Sequence, residues 1–345
     1  MKNTKGSLLI LVLWVFLFLS IMSVFAGSLV HQQIKVFKET EIDRELINIS
    51  ESGMAFVRNF VLNLNLAGQK VYALNETWAD SDKFKGYETG NGKFYLYHEQ
   101  FDNNLKISSK KNGLIDENRK VNINYASFDV LRRLFVEIGG ASQDIGEELA
   151  RIVIDFRDSD SNVFGLQEET EEYTYYLRSN VKYIPDKKFF SIKEIYYLPY
   201  ITAAIYENIK DFITVYGSGK VNINTASLSV LKVLGLADSA AEKVSFFRSG
   251  ADMKEGTADD NVVFGLNNLI DKINAVIALD PDEQKSLHTL VISNRLCVNS
   301  EYFMATGISI LENETRHGKI TCILDNFGVI KDKTIVFVNK ENHAL

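Results

Sequence analysis

Lys5-Gly6-Ser7-Leu8-Leu9-Ile10-Leu11-Val12-Leu13-Trp14-Val15-Phe16-Leu17-Phe18-Leu19 opens the stretch that decides the fold of this chain. No charged residue stands between Ser7 and Val30, and Lys2 and Lys5 lie just outside that run. A helix of roughly 20 apolar residues spans a bilayer. A core helix would keep a polar stripe, whereas Leu8 to Leu19 is apolar on every face. The rival reading is a cleaved secretory signal, with Val24 and Ala26 preceding a cut at Gly27. The apolar region of such a signal covers about 7–15 residues. This one is longer and passes without a break into an amphipathic continuation. Lysines on its short side leave the N-terminus in the cytoplasm and everything after Val30 outside.

Working outward, Ile34, Phe37, Ile42, Leu46, Ile49, Phe56, Phe60 and Leu64 recur mostly at three-, four- and seven-residue intervals. That spacing predicts the same helix emerging from the membrane with one oily face in need of a partner. Residues 68–115 change character. Strand-like runs at Lys93–His98 and Asn104–Ile107 alternate with Gly, Asn, Asp and Lys. A helix laid on a small antiparallel sheet buries both apolar faces.

An internal repeat follows. Val121-Asn-Ile-Asn-Tyr-Ala-Ser-Phe-Asp-Val-Leu131 recurs as Val221-Asn-Ile-Asn-Thr-Ala-Ser-Leu-Ser-Val-Leu231, matching at eight of eleven positions. Phe156-Arg157 with Asn162-Val-Phe-Gly-Leu166 is echoed by Phe247-Arg248 with Asn261-Val-Val-Phe-Gly-Leu266. Each unit therefore reads as an Asn-bearing turn, two helices ending in Phe-Arg, and an acidic loop. Further helices are expected after Pro199 and from Pro281, with Asp280 as N-cap. Beyond Val298, the segments 302–311, 319–324 and 334–338 return to strand patterning. Strands thus bracket a helical block, which points to a helical domain inserted into one sheet.

Composition narrows the function. An excess of acid over base, with a formal charge of −7, argues against a protein devoted to gripping phosphates. His31, His98, His288, His317 and His343 form no ligand pair at helical spacing, and neither a nucleophile elbow nor a phosphate-cradling Gly loop occurs, so nothing here points to an enzyme. The two cysteines, Cys297 and Cys322, exclude a four-thiolate zinc site. A hairpin turning near 313–317 would set Cys322 across from about Ile308, so pairing with Cys297 requires a third strand; a bridge and two buried thiols both remain open.

Three features together resemble the type II secretion minor pseudopilin K family: the Lys5-Gly6 junction before a long apolar helix, the duplicated Val-Asn-Ile-Asn-x-Ala-Ser turn, and Asp155-Phe-Arg-Asp-Ser-Asp160 ahead of an aromatic stretch. The resemblance covers nearly the whole chain. It implies an α+β fold in which an N-terminal membrane-spanning pilin-like helix packs on a small antiparallel sheet, with a large inserted all-helical domain containing two helix-hairpin-helix-like repeats. The expected divisions are a prepilin leader at 1–6, a transmembrane helix at 7–30, helix extension and first strands at 31–115, the inserted domain at 116–295 and closing strands at 296–345.

The resemblance also implies processing by a prepilin peptidase after Gly6 and methylation of the new amine on Ser7. Most pilin-like proteins carry a glutamate five residues into the mature chain; counting from Ser7, this sequence has Leu11. Members of the resembled family share that lack, which implies a place at the pseudopilus tip, because an intramembrane carboxylate is costly unless a neighbour's amine compensates it. The implied setting is a bacterial inner membrane with the head in the periplasm. The implied partners are the minor pseudopilins of I, J and H types, the major pseudopilin, the peptidase and the inner-membrane platform of the secretion machine.

Two further expectations concern the inserted domain. Its turns also resemble helix-hairpin-helix modules of DNA-uptake proteins, which gives the alternative of a membrane-anchored DNA-binding protein. No basic cluster follows either turn, however, and Asp238 stands in one of them. The acidic loops are candidate calcium sites: Asp158, Asp160, Asn162 and Glu169 in the first, Asp252, Asp259 and Asp260 in the second. Val163 occupies the place where an EF-hand needs glycine, so the first is not a true EF-hand. The resemblance likewise implies calcium as a structural ion.

Overall fold

The computed structural model describes residues 4–102, 107–160, 162–165, 186–312 and 314–339. Helix α1 runs unbroken over Thr4–Leu66. Every residue from 9 to 41 is exposed, whereas Leu46, Ile49, Met54, Val57 and Val61 further along are buried. One helix therefore serves two environments, and only its second half packs on its own chain.

That half lies on a sheet built from both ends of the sequence. Before the insertion come β1 (Tyr87–Thr89), β2 (Gly92–Leu96), β3 (His98–Asp102), β4 (Ile107–Lys111) and β5 (Ile115–Asp116). The inserted unit contributes β6 (Val121–Asn122), α2 (Phe128–Arg133), a π turn at Leu134–Ile138, α3 (Gln143–Arg157), α4 (Ala203–Ile209) and β7 (Ile213–Thr214). Its second repeat holds β8 (Val221–Asn222), α5 (Leu228–Val233), α6 (Asp238–Arg248), α7 (Leu269–Asn274), α8 (Pro281–Ile292) and β9 (Leu296–Cys297). The long strands β10 (Tyr302–Leu311), β11 (Arg316–Asp325) and β12 (Ile330–Asn339) close the chain.

The main sheet has the order β1-β2-β10-β11-β12, all antiparallel, and β5 pairs with the start of β10. Strands from either side of the insertion therefore meet on β10, with Leu96 opposite Gly307 and Asp116 opposite Phe303. Phe94 fixes how close α1 comes. A Cβ on Gly53 of α1 or on Gly307 of β10 would fall 2.2 and 2.1 Å from its ring, so these two glycines make the slot that the ring fills. Arg316 forks onto Asp43 at 2.6 and 2.9 Å, and Ser50 bonds Ser309 at 2.9 Å, clamping the helix along the sheet.

Within the insertion the two repeats share one device. The first Asn side chain of each turns back to accept from the backbone N–H of the second, Asn122 from Asn124 at 2.9 Å and Asn222 from Asn224 at 3.0 Å. The second Asn then mimics a strand partner: Asn124 exchanges two bonds with the Phe189 backbone, and Asn224 two with that of Val263. The Phe-Arg end of each second helix closes the turn, since Arg157 donates to the carbonyls of Ile123 and Ala126, and Arg248 to those of Ile223 and Ala226. The repeated residues are thus those that satisfy a buried, non-helical backbone.

Four expectations change. The insertion is not all-helical, because each repeat returns to its first Asn segment through a two-residue parallel ladder, β6 with β7 and β8 with β9. Strand β9 consequently pairs into the inserted unit rather than with the closing sheet. The run Lys93–His98 is two strands, broken at Tyr97, whose N–H reaches Thr306. Finally, Cys322 lies opposite Ala305, not Ile308. The turn is tighter than expected because Arg316 and His317 already belong to β11, with His317 opposite Ile310. Both cysteines are free and buried.

The junction between the two cores is held by Asp116. Fully buried, it accepts from the Thr225 hydroxyl at 2.6 Å, the Asn222 amide at 3.0 Å and the Asn118 N–H at 2.8 Å, and Asn222 also donates to the Tyr72 carbonyl at 3.0 Å. Burial pushes the Asp116 acid up to about 6 despite these donors. Asp116→Ala strands several buried donors, and a loss of about 3 kcal/mol is expected by denaturant melts at constant pH. A raised acid disfavours folding once ionised, so its contribution is full below 3.8 and declines as pH rises through about 6. The gap between wild type and Asp116→Ala should therefore be wider at pH 4 than at pH 7; a gap that widens upward would contradict the assignment.

Candidate functional site

Two parts of the molecule are left without a structural role inside the head: the first half of α1 and the two acidic loops. On the helix, Val30, Ile34 and Phe37 are 54, 51 and 70% exposed at spacings of four and three residues, one stripe along the helix. This helix is the one among the described residues long and apolar enough to cross a membrane. Gly6 and Ser7 fall within its first turns, and Leu11 is exposed on it. At 1.5 Å per residue, residues 7–30 reach about 36 Å, enough for a hydrocarbon layer of about 30 Å with some tilt. Residues 31–41 add about 16 Å of exposed helix before the part that packs on the head.

The acidic loops occupy equivalent places after α3 and α6. In the first, Asp158 caps α3, its N–H bonded to the Ile154 carbonyl. Its Oδ1 is buried and has no donor among the described residues. Burial, then the charges of Asp160 and Asp186, push its acid above the usual range. Asp160 accepts from the Asn162 N–H at 2.8 Å. Glu169 lies outside the described residues.

The second loop satisfies its own carboxylates. Asp259 accepts from the N–H groups of Ala251 and Asp252 at 2.7 and 3.0 Å, with the Thr257 hydroxyl 2.7 Å from its other oxygen. Those donors, the hydroxyl first, hold its acid below the ordinary value. Asp252 accepts from the Lys254 N–H and Asp260 from that of Gly256, at 2.9 and 2.7 Å. Burial raises the Asp260 acid even so. A buried Arg248–Glu255 pair anchors this loop to α6. Among the described residues no three His, Cys, Asp or Glu side chains converge as a metal-ligand group.

Sequence reasoning missed Asp116, Thr225 and Ser300, which join the two cores, and the closing role of Arg157 and Arg248. The duplicated Phe-Arg was the available signal for the arginines. For Asp116 there was none, since its partners lie 106 and 109 residues away.

No protein-family model matches the sequence, and no curated protein does. Among solved structures, the chain shares its fold with GspK in the crystal structure of the GspK-GspI-GspJ complex from the enterotoxigenic Escherichia coli type 2 secretion system. The TM-score is 0.59 at 16% identity, over 88% of this chain and 98% of that one. A long N-terminal apolar helix, an antiparallel sheet and added helices fit this pilin-like fold.

The loops yield a test of their chemistry. With the full chain in detergent and a chelator present, Asp158→Asn should melt above wild type, because it removes a carboxylate crowded by Asp160 and Asp186. Calcium that binds only the folded form stabilises it by about 2.7 kcal/mol at a hundred times its dissociation constant, so millimolar calcium should raise wild type by a few degrees and the variant by less. Identical melting of wild type in calcium and chelator would count against a cation at this loop.

Proposed function

We propose that this chain is a minor pseudopilin at the tip of a type II secretion pseudopilus, acting by assembly in protein export and not by catalysis. The observation that carries the reading is the uncovered half of α1, a membrane-length apolar rod followed by the stripe Val30, Ile34, Phe37, with nothing in its own head to bury it. Apolar surface of this extent asks for lipid along one part and for other helices along the next. The fold shared with GspK adds support.

On this reading the peptidase cuts after Gly6, Ser7 is methylated, and the helix stays in the inner membrane with the head in the periplasm. GspK occurs in complex with GspI and GspJ; by analogy the spacer stripe would pack on minor pseudopilins of I, J and H types above the major pseudopilin and the inner-membrane platform. Leu11 places no carboxylate in the layer to compensate a neighbour's amine, which suits a subunit with nothing docked above it. Calcium enters as a structural ion at the loop of Asp158, Asp160 and Asn162, with Glu169 as the further ligand, and at the loop of Asp252, Asp259 and Asp260.

Mass spectrometry of the chain from its own membranes should find methylated Ser7 as residue one. A start at Gly27 would replace the proposal with an ordinary secreted protein. Phe37→Asp, on the exposed spacer, should leave processing and head stability within about 0.5 kcal/mol of wild type while abolishing assembly and export; unimpaired export in that variant would remove the stripe from the mechanism.

A further inference from the structure

On the face of the sheet turned away from α1, a cleft of about 790 Å³ opens between the strands and the inserted unit. Tyr97, Met304 and Lys319 line it from the sheet, and Arg119 and Phe212 from the other side. We propose that this cleft binds a carboxylate-bearing segment of another polypeptide, with Arg119 and Lys319 holding the carboxylate.

Arg119 carries the inference. It ends the short turn Glu117–Arg119 and is half-buried, deep enough that desolvation lowers its pKa. Three carboxylates act on it, and each is committed elsewhere: Glu255, the strongest of them, pairs with Arg248, Asp116 takes its bonds from Thr225, Asn222 and Asn118, and Glu117 pairs with Lys120. Among the described residues, neither Arg119 nor Lys319 has a hydrogen-bond or ion-pair partner. A guanidinium presents five N–H donors in a planar fork, and leaving it half-desolvated without an acceptor is costly. By contrast, Arg58, Arg157, Arg248 and Arg295 all donate to protein carbonyls. His98 adds no acceptor charge. It is buried with Nδ1 3.3 Å from the Gly113 carbonyl, and burial, aided by the Arg119 charge, holds its pKa at about 4, so it is neutral near pH 7.

The rest of the lining selects the kind of anion. Tyr97, Phe212 and Met304 give apolar walls, while Glu99 and Asp211 stand exposed among the lining residues. Those rim carboxylates repel a polyanion such as a nucleic acid or polyphosphate. A single carboxylate flanked by apolar side chains passes them and meets the two cations inside, where a charge-assisted fork is strong. The volume falls in the range of pockets that enclose small ligands or a few side chains. The proposal does not rest on the pseudopilin reading and can fail without it.

The test uses the full chain in detergent, low salt and calorimetric titration with three probes: a capped pentapeptide with one glutamate between two leucines, its glutamine counterpart, and inorganic phosphate. The glutamate peptide should bind, the glutamine peptide at least about tenfold more weakly, and phosphate should neither bind measurably nor compete. Arg119→Gln and Lys319→Gln should each weaken the glutamate peptide several-fold, while Lys254→Gln, on the loop after α6, should not. Should Arg119→Gln fail to fold, Lys319→Gln alone decides, since that side chain makes no hydrogen bond or ion pair among the described residues. The inference is overturned by equal binding of the two peptides, by displacement with phosphate, by no binding at millimolar peptide, or by unchanged affinity in Lys319→Gln.

Discussion

The pairing of β2 with β10 is the constraint on which the rest depends, because it joins residues on opposite sides of a long insertion: Gly92 with Leu311 and Leu96 with Gly307. Closing so long a loop costs less than its length suggests, since the entropy grows only with the logarithm of chain length. What it does demand is that the inserted unit present its two ends side by side. The unit does so through its own architecture. Its repeats close on the parallel ladders β6–β7 and β8–β9, and the chain leaves β9 next to the residues that entered it, where the Tyr72 N–H meets the Val298 carbonyl at 2.9 Å.

At that meeting point Asp116 does two jobs. Its backbone pairs into the sheet opposite Phe303, while its carboxylate bonds the first turn of the second repeat. A buried acid is an expensive joint, but its donors, together with the bonds that Ser218 makes to Glu301 at 2.8 and 2.7 Å, fix the register of the two cores. The same joint places Arg119, three residues further on, at the cleft behind the sheet.

Much of this was legible in the sequence, for reasons that differ by element. Helix α1 could be read because an all-apolar run followed by an oily stripe needs no knowledge of its partners. The repeats could be read because duplication exposed which residues the local backbone requires, the paired asparagines and the Phe-Arg ends. Asp280 and Pro281 marked α8 through local capping chemistry, and the side-chain exchange of Asp280 with Glu283 is present. The register of β10 and β11 was not legible, because Arg316 and His317 follow Asn313 and Glu314 as if in the turn and instead open β11, His317 opposite Ile310. Asp116 and Arg119 were silent as well, since their meaning lies in partners, or in a missing partner, distant in the chain. The acidic loops were visible as charge, yet sequence alone could not show that the second turns its oxygens to its own N–H groups while the first, among the described residues, leaves Asp158 Oδ1 without a donor.

The central claim is that the exposed spacer of α1 works by packing against the helices of other membrane-anchored subunits. The most direct measurement is site-specific photo-crosslinking in intact cells, with the photoreactive residue at position 34 or 37 and, for comparison, at position 254 in the second acidic loop. The account predicts discrete adducts from positions 34 and 37 with chains that carry their own processed apolar N-terminal helix, lost when a bulky residue replaces Gly6. Adducts only with lipid at 34 and 37, or the same adducts from position 254, would contradict it.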